Sequence, residues 1–402
     1  MMNMLNRIKD LAREYERDAV ALRRHFHAHP ELSWQEARTT DRIAEELGKL
    51  GIPVLHRGYG GTSSGLIADI KGARPGRCVA LRSDIDPLPI HEENDVEYRS
   101  KNDGVMHACG HDGHMAGLLT AARILMQIRD ELPGTVRLLF QPAEEDGPRG
   151  GAKVMIQEGA LQGVDGVFAD PAHLFSLYPT GKVLYRSGPC MASADGWDLV
   201  VTGKGGHGAA PEKAVDPVVA ACTLGCALQT IVSREVAPTD TAVISITSVE
   251  SSTKTRNIIP ESVTLMGATR ALSPEMQDRV EAAMRRIAEG VALTTRCRID
   301  LNYMRFYPAV INDPKLTQIL KATAEEMFGA DAEEAPVNMG SEDFSFYGRA
   351  VPATFAQLGV GDPAQPGTRC PHHSPTFNLD EAQLKPAAAL HAGFAWSFLN
   401  GD

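Results

Sequence analysis

From Met106 to Leu119 the chain reads MHACGHDGHMAGLL, placing Cys109, His111, Asp112 and His114 within six residues on a Gly-rich turn ahead of an apolar helical run. Thiolate, imidazole and carboxylate on one tight turn can converge on a divalent metal; a buried free cysteine beside loop histidines, or a structural zinc, is the alternative. Three more groups each follow an apolar, strand-like run: Asp84 and Asp86 after CVALRS, Glu144 and Glu145 after TVRLLFQPA, and His173 after GVFADPA. In open α/β sheets ligands bind beyond the carboxyl ends of strands, so these segments would bring acid, imidazole and thiolate to one crevice. Adjacent carboxylates on an extended chain cannot both point the same way, which divides the labour of Glu144 and Glu145 between metal binding and proton transfer. A metal that acidifies water, with a second clamping the attacking and departing oxygens, suits hydrolysis of an amide. Near the end, CPHHSPTFNLDE offers His372 and His373 in a Pro-bracketed loop as a last candidate ligand.

These residues need a scaffold that alternates strands and helices, and residues 1 to about 189 have that rhythm, which argues α/β with a largely parallel sheet. Residues 190–302 read instead as strand (WDLVVTG), helix (217–233), strand (TAVISITSV), strand (SVTLMGATR), helix (274–291) and strand (CRIDLNY), the ferredoxin-like β-α-β-β-α-β order. Ser273 as N-cap, Pro274 at the first helical position, Glu275 in the first turn and Gly290 near the end punctuate the second of those helices. The α/β style returns after 303, with helices around 314–328 and 380–399. The expected organisation is therefore one domain from 1–189 and 303–402, with 190–302 inserted into it.

The 402 residues carry Lys+Arg 40 against Asp+Glu 51, a net charge of −11 that argues against nucleic-acid binding. Hydrophobic residues at 43% and charged residues at 23% are enough for a globular core. No run of about 18 uncharged apolar residues and no signal-peptide core is seen, so the expectation is a cytoplasmic protein without a membrane segment. Seven scattered cysteines are expected to be reduced thiols. Cys222 and Cys226, at i, i+4 spacing among apolar residues, are expected on a buried helix face. His25, His27 and His29 are expected to pack or hydrogen-bond, and the Gly60-Gly61 and Gly205-Gly206 pairs lack the context of a nucleotide site.

The motifs RRHFHAHPELSWQE, LRSDIDPLPIHEE, MHACGHDGHMAGLL, QPAEE, GKGGHGAAPEKAVDPV, RNIIPESVTLMGATR, GSEDF and HHSPTFNLDE together resemble the dinuclear-metal N-acyl-amino-acid amidohydrolases, the group of hippurate hydrolase and the indole-acetyl-amino-acid hydrolases, from about residue 20 to 395. The resemblance implies a zinc-peptidase-like α/β catalytic domain with an inserted ferredoxin-like lid. It implies two divalent ions (zinc, manganese, cobalt or nickel) on Cys109, His111, Glu145, His173 and His373, with Glu144 as general base and Asp86 behind the site orienting a ligand histidine. His207 in GKGGHGAAP would reach a neighbouring subunit's site to stabilise the oxyanion, which implies a homodimer or higher homo-oligomer. Asn257 and Arg270 would bind the substrate's backbone and carboxylate. The substrate class would be N-acyl or N-aroyl amino acids, with an aminopeptidase, dipeptidase or carbamoyl-amino-acid hydrolase, or a metal-containing binding protein, as other readings. The chain departs from the family pattern in Leu174, Phe175 and Ser176 after His173, in the run DGPRGGAK after the acid pair, and in Glu212 where relatives often have histidine.

Overall fold

The computed structural model describes residues 3–401, leaving aside the side chains of 170–175. By its contacts the chain divides into two units, Met1–Cys190 with Ile311–Pro336 and Asp343–Asp402, and Met191–Val310 with Val337–Glu342. The return crossing lies at Val310 rather than near 302, because the strand there runs Arg298–Tyr307 and pairs with Ala194–Thr202.

The first unit is built on an eight-stranded sheet in the order Val54–Arg57, Leu66–Lys71, Pro133–Gln141, Arg74–Asp84, Gly166–Pro179, Ala353–Gly361, Val183–Tyr185, Ala332–Glu334. Its four central strands, from Pro133–Gln141 to Ala353–Gly361, run parallel. Val79, Ala80 and Leu81 are fully buried there, the continuous apolar run expected of a strand covered on both faces. The helix His111–Gln127 is buried on nearly every side and packs against the C-terminal helix Leu384–Asn400. That last helix starts later than 380 because Asp380 caps a short 3-10 turn, Glu381–Gln383, ahead of it.

The sheet's register fixes where the chemistry can sit. Arg74–Asp84 and Pro133–Gln141 are adjacent parallel strands that end together, with Asp84 opposite Gln141. The segments carrying Asp86 and Glu144-Glu145 therefore leave the sheet side by side at its carboxyl end.

The second unit is an antiparallel four-stranded sheet in the order Ala242–Ser251, Ser262–Ala271, Ala194–Thr202, Arg298–Tyr307, which is second-third-first-fourth along the chain and ferredoxin-like. Trp197, Leu199 and Val201 from the sheet join Leu224, Leu228, Val280 and Met284 from two helices in one core. Asp216 caps the first helix, Pro217–Thr230, which continues as one wider turn, Ile231–Glu235. This run is long and apolar enough by length and composition to cross a membrane, but it lays Ala220, Ala221, Leu224 and Leu228 on the sheet. Cys222 and Cys226 lie on the opposite, exposed side, contrary to the expectation of a buried pair. With almost no charge in the helix, composition could not tell its faces apart.

The second helix runs Pro274–Thr295, with the Ser273 hydroxyl accepting the Met276 amide as the punctuation predicts. Gly290 does not stop it. The helix ends at Arg296 in the left-handed region, φ 63°.

Candidate metal centre

Sequence neighbours separate at the turn Cys109–His114. Gly110, at φ 91°, opens the helix His111–Gln127 with a left-handed step that a side chain would hinder. Cys109 and His111 then fall with Glu145 in one cluster, their donor atoms all within 4.8 Å of one another. Asp112 turns elsewhere, while His114 forms a second group with His111 and Asp84. His114 Nδ1 is 2.5 Å from Asp84 Oδ1, and Asp112 is buried against Arg23 and His27.

The geometry of His111 suits a candidate metal ligand. Its Nδ1 donates to the main-chain carbonyl of Asp86 at 2.6 Å, while Nε2 is buried with no hydrogen-bond partner among the described residues. With Nδ1–H held by the carbonyl, Nε2 is the nitrogen that would offer its lone pair to a metal, in competition with the proton that, against burial, Asp84 and Cys109 favour on this ring. Soft thiolate, imidazole and carboxylate around that lone pair fit a divalent transition metal.

Of the two candidate histidines in the C-terminal loop, His373 faces this cluster. It adopts φ 61°, its amide donates to the Ala108 carbonyl at 2.9 Å, and its Nε2 lies 3.4 Å from Glu145 Oε1. Hydrogen bonds to Cys109 and Glu145 push the His373 imidazole up to about 10. The field that holds a proton there also attracts a metal cation, and the two compete. His372 instead packs its ring against Phe377, tilted by 37° with ring centroids 5.0 Å apart. His173 has its backbone paired with Gln357 in the strand Gly166–Pro179, but its side chain lies outside the described residues.

Asp86 holds the acid pair. Its Oδ1 accepts the Glu144 amide at 2.9 Å and its Oδ2 accepts the Glu145 amide at 3.0 Å and the Ser33 hydroxyl at 2.6 Å. The expected contact from Asp86 to a ligand histidine is made by its carbonyl, because the carboxylate is spent on these three donors; its oxygen stays 3.6 Å from His111 Nδ1. Glu144 is buried, and its carboxylate accepts the Asp343 amide at 3.4 Å.

Beneath the centre lies a buried ionic lattice that the motifs did not reveal. Arg82 pairs with Asp84 at 2.8 Å and Asp343 at 3.0 Å and donates to Gln141 at 2.9 Å. Burial opposes the charge on Asp84, but His111, His114 and Arg82 outweigh it and hold the carboxyl well below its usual range. Alternating Arg82 and Asp84 in an apolar strand was the available signal, since buried charges need partners. The expected hydrogen-bonding role for His27 is found: it bridges Asp112 at 2.8 Å and Glu92 at 3.0 Å.

The remaining predicted residues lie in the second unit. Gly206–His207 pairs with Ile258–Ile259, and His207 and Asn257 line the same groove there. His207 Nδ1 accepts the Ala209 amide at 3.1 Å, and the Asn257 carbonyl accepts the Gly208 amide at 2.8 Å. Arg270 stands on the strand Ser262–Ala271, donating to the Thr269 carbonyl at 2.9 Å. Glu212 is exposed on the short turn Pro211–Lys213.

A mixed sheet with a donor cluster at its carboxyl end and an inserted ferredoxin-like unit defines a metallohydrolase of the α/β class. The family model of peptidase family M20/M25/M40 matches residues 80–397, and the chain belongs to that family, as its motifs imply. It is 39% identical over 401 residues to thermostable carboxypeptidase 1 of Saccharolobus solfataricus, covering 99% of this chain and 100% of that one. It is 40% identical to the IAA-amino acid hydrolase ILR1-like 2 of Arabidopsis thaliana, covering 94% and 85%. Among solved structures, the Bacillus subtilis YXEP protein, a dinuclear metal binding peptidase of the M20 family, superposes with TM-score 0.82 at 34% identity, covering 96% and 99%.

Proposed function

We propose that the protein hydrolyses the amide bond of N-acyl or N-aroyl amino acids, releasing a carboxylic acid and a free amino acid. The observation that carries the reading is the separation of the acid pair. Both amides are tied to Asp86, one carboxylate joins Cys109 and His111, and the other stays buried outside that group. Cys109, His111, Glu145, His173 and His373 would hold two divalent ions, as in the dinuclear relative. Bound there, the ions supply Lewis acidity that makes water nucleophilic near neutral pH and polarises the scissile carbonyl.

Glu144 takes the proton from the attacking water and delivers it to the leaving amine. Arg270 offers a guanidinium fork for the substrate carboxylate and Asn257 an amide for its backbone. His207 stabilises the oxyanion in the site of a second copy of the chain. A homodimer is supported by the second unit's surface: Val218, Val219, Cys222 and Cys226 are exposed on one uncharged helix, and the edge strand Ala242–Ser251 leaves Val243 and Val249 open. Seven free thiols agree with a cytoplasmic setting.

The test is amine release from hippurate, N-acetyl amino acids, indole-acetyl conjugates and short peptides, using chelator-stripped protein with zinc, manganese, cobalt or nickel returned singly. Metal-dependent release from acyl amino acids is expected. Release from peptides alone would instead support the peptidase reading, which the carboxypeptidase relative favours.

A further inference from the structure

The segment Ser33-Trp34-Gln35-Glu36, just before the helix Ala37–Lys49, touches the surroundings of the acid pair at three points. Ser33 Oγ donates to Asp86 at 2.6 Å, Trp34 Nε1 donates to Asp146 at 2.7 Å, and Glu36 Oε1 accepts the Ala143 amide at 2.9 Å. Trp34 and Ala143 both sit in the left-handed region, at φ 66° and 53°. Such conformations persist in non-glycine residues only where the surroundings hold them. Ala143 is held at both ends of its polar backbone, its N–H by Glu36 and its carbonyl by the Gly151 amide at 2.9 Å. A Cβ on Gly151 would lie 1.6 Å from the Pro142 carbonyl oxygen, so only glycine allows this closure.

The next two amides are those of Glu144 and Glu145, and both point at the one carboxylate of Asp86. The left-handed step at Ala143 sets the direction in which the following peptide leaves the strand, and with it the side on which this pair of amides faces; an extended Ala143 would turn the pair away from Asp86. We propose that Glu36 is a positioning residue for the acid pair: its buried carboxyl pins the Ala143 amide and so fixes the left-handed turn that presents Glu144 and Glu145 to Asp86. This rests on the reading of Glu144 as base and Glu145 as metal ligand. The carboxyl acts as a neutral acceptor: burial and the neighbouring Asp86 push Glu36 up to about 8.

The test is zinc binding to chelator-stripped wild type, E36Q and E36L by calorimetry, with kcat and KM measured on the best acyl amino acid. The amide of E36Q can still accept the Ala143 N–H, so both readouts should stay within about threefold of wild type. E36L should lose roughly 10–100-fold in zinc affinity and a comparable factor in kcat, with KM little changed. Glycine adopts φ near +53° without strain, so E36L/A143G should regain at least about threefold of the lost affinity. E36L with wild-type affinity and kcat would overturn the proposal, as would an E36Q loss as deep as that of E36L. If E36L fails to fold, E36Q decides alone: retention supports the neutral pin and loss refutes it. Should wild type bind zinc yet hydrolyse no acyl amino acid, the functional reading fails while the zinc titrations still judge Glu36.

Discussion

The main-chain carbonyl of Asp86 accepts the Nδ1–H of His111 at 2.6 Å, while the Asp86 carboxylate faces away to the amides of Glu144 and Glu145. One residue thus sets the tautomer of a candidate ligand through its backbone and the aim of two carboxylates through its side chain. The two roles can be separated. Asp86→Asn leaves the carbonyl in place but turns an NH2 group towards one of the donors. Zinc affinity and kcat are expected to fall roughly 10–100-fold. Wild-type kcat in Asp86→Asn, by stopped assay on metal-loaded protein, would show that the carboxylate contacts are dispensable.

Glu36 makes stability depend on pH in a defined direction. Its carboxyl is pushed from 4.5 up to about 8 in the folded chain, first by burial and then by Asp86. The folded state therefore keeps a proton that the unfolded chain has released, and stability falls as pH rises through that window. Glu36→Gln has no such proton to lose. Urea midpoints of the metal-free proteins should leave E36Q increasingly more stable than wild type as pH rises from about 5 to 8, with a constant offset below about 4.5. An offset that did not change with pH would contradict this.

The donor cluster was legible because ligand types are crowded into a few residues: Cys109, His111 and the Glu144-Glu145 pair all stand out locally, and the α/β and ferredoxin-like elements were read from hydrophobic period. What composition could not reveal depends on long-range contact or on unusual dihedrals. Glu36 reaches Ala143 across more than a hundred residues, and its neighbour Trp34 has a left-handed φ that nothing in its type predicts. Gly290 looked like a helix end, yet Arg296 takes the left-handed terminal step. Cys222 and Cys226 were misplaced because their helix is uncharged on both faces. Asp86 stands out in the sequence, but whether its carbonyl or its carboxylate meets His111 depends on the backbone path between strand and helix.

If His207 completes a partner's site, two inactive variants should complement each other. Dimers mixed from His207→Ala and Glu144→Gln chains contain one site with both residues intact. Each variant alone should lose about 10²–10³-fold or more in kcat, and re-assembly of the mixture should restore a substantial fraction of wild-type activity. Additive, unrestored rates after confirmed subunit exchange would place His207 in its own chain's site.

The proposed dimer surface can be probed without touching the chemistry. Val219 and Val249 are 59% and 60% exposed in the single chain. Charges introduced by Val219→Glu with Val249→Lys should cost little in a monomer, but in an apolar contact they would be buried without partners. Light scattering should show a monomer, with turnover falling if His207 acts across subunits. A stable dimer in this variant would move the contact elsewhere.

The division of labour within the acid pair is tested most directly by counting metal and turnover together in Glu144→Gln and Glu145→Gln. Both glutamines preserve shape and the backbone contacts to Asp86, so only the carboxylates are lost. Glu144→Gln should keep the wild-type metal content by elemental analysis and lose about 10²–10⁴-fold in kcat. Glu145→Gln should lose metal and, with it, activity. Near wild-type turnover in Glu144→Gln, or full metal content in Glu145→Gln, would contradict the account.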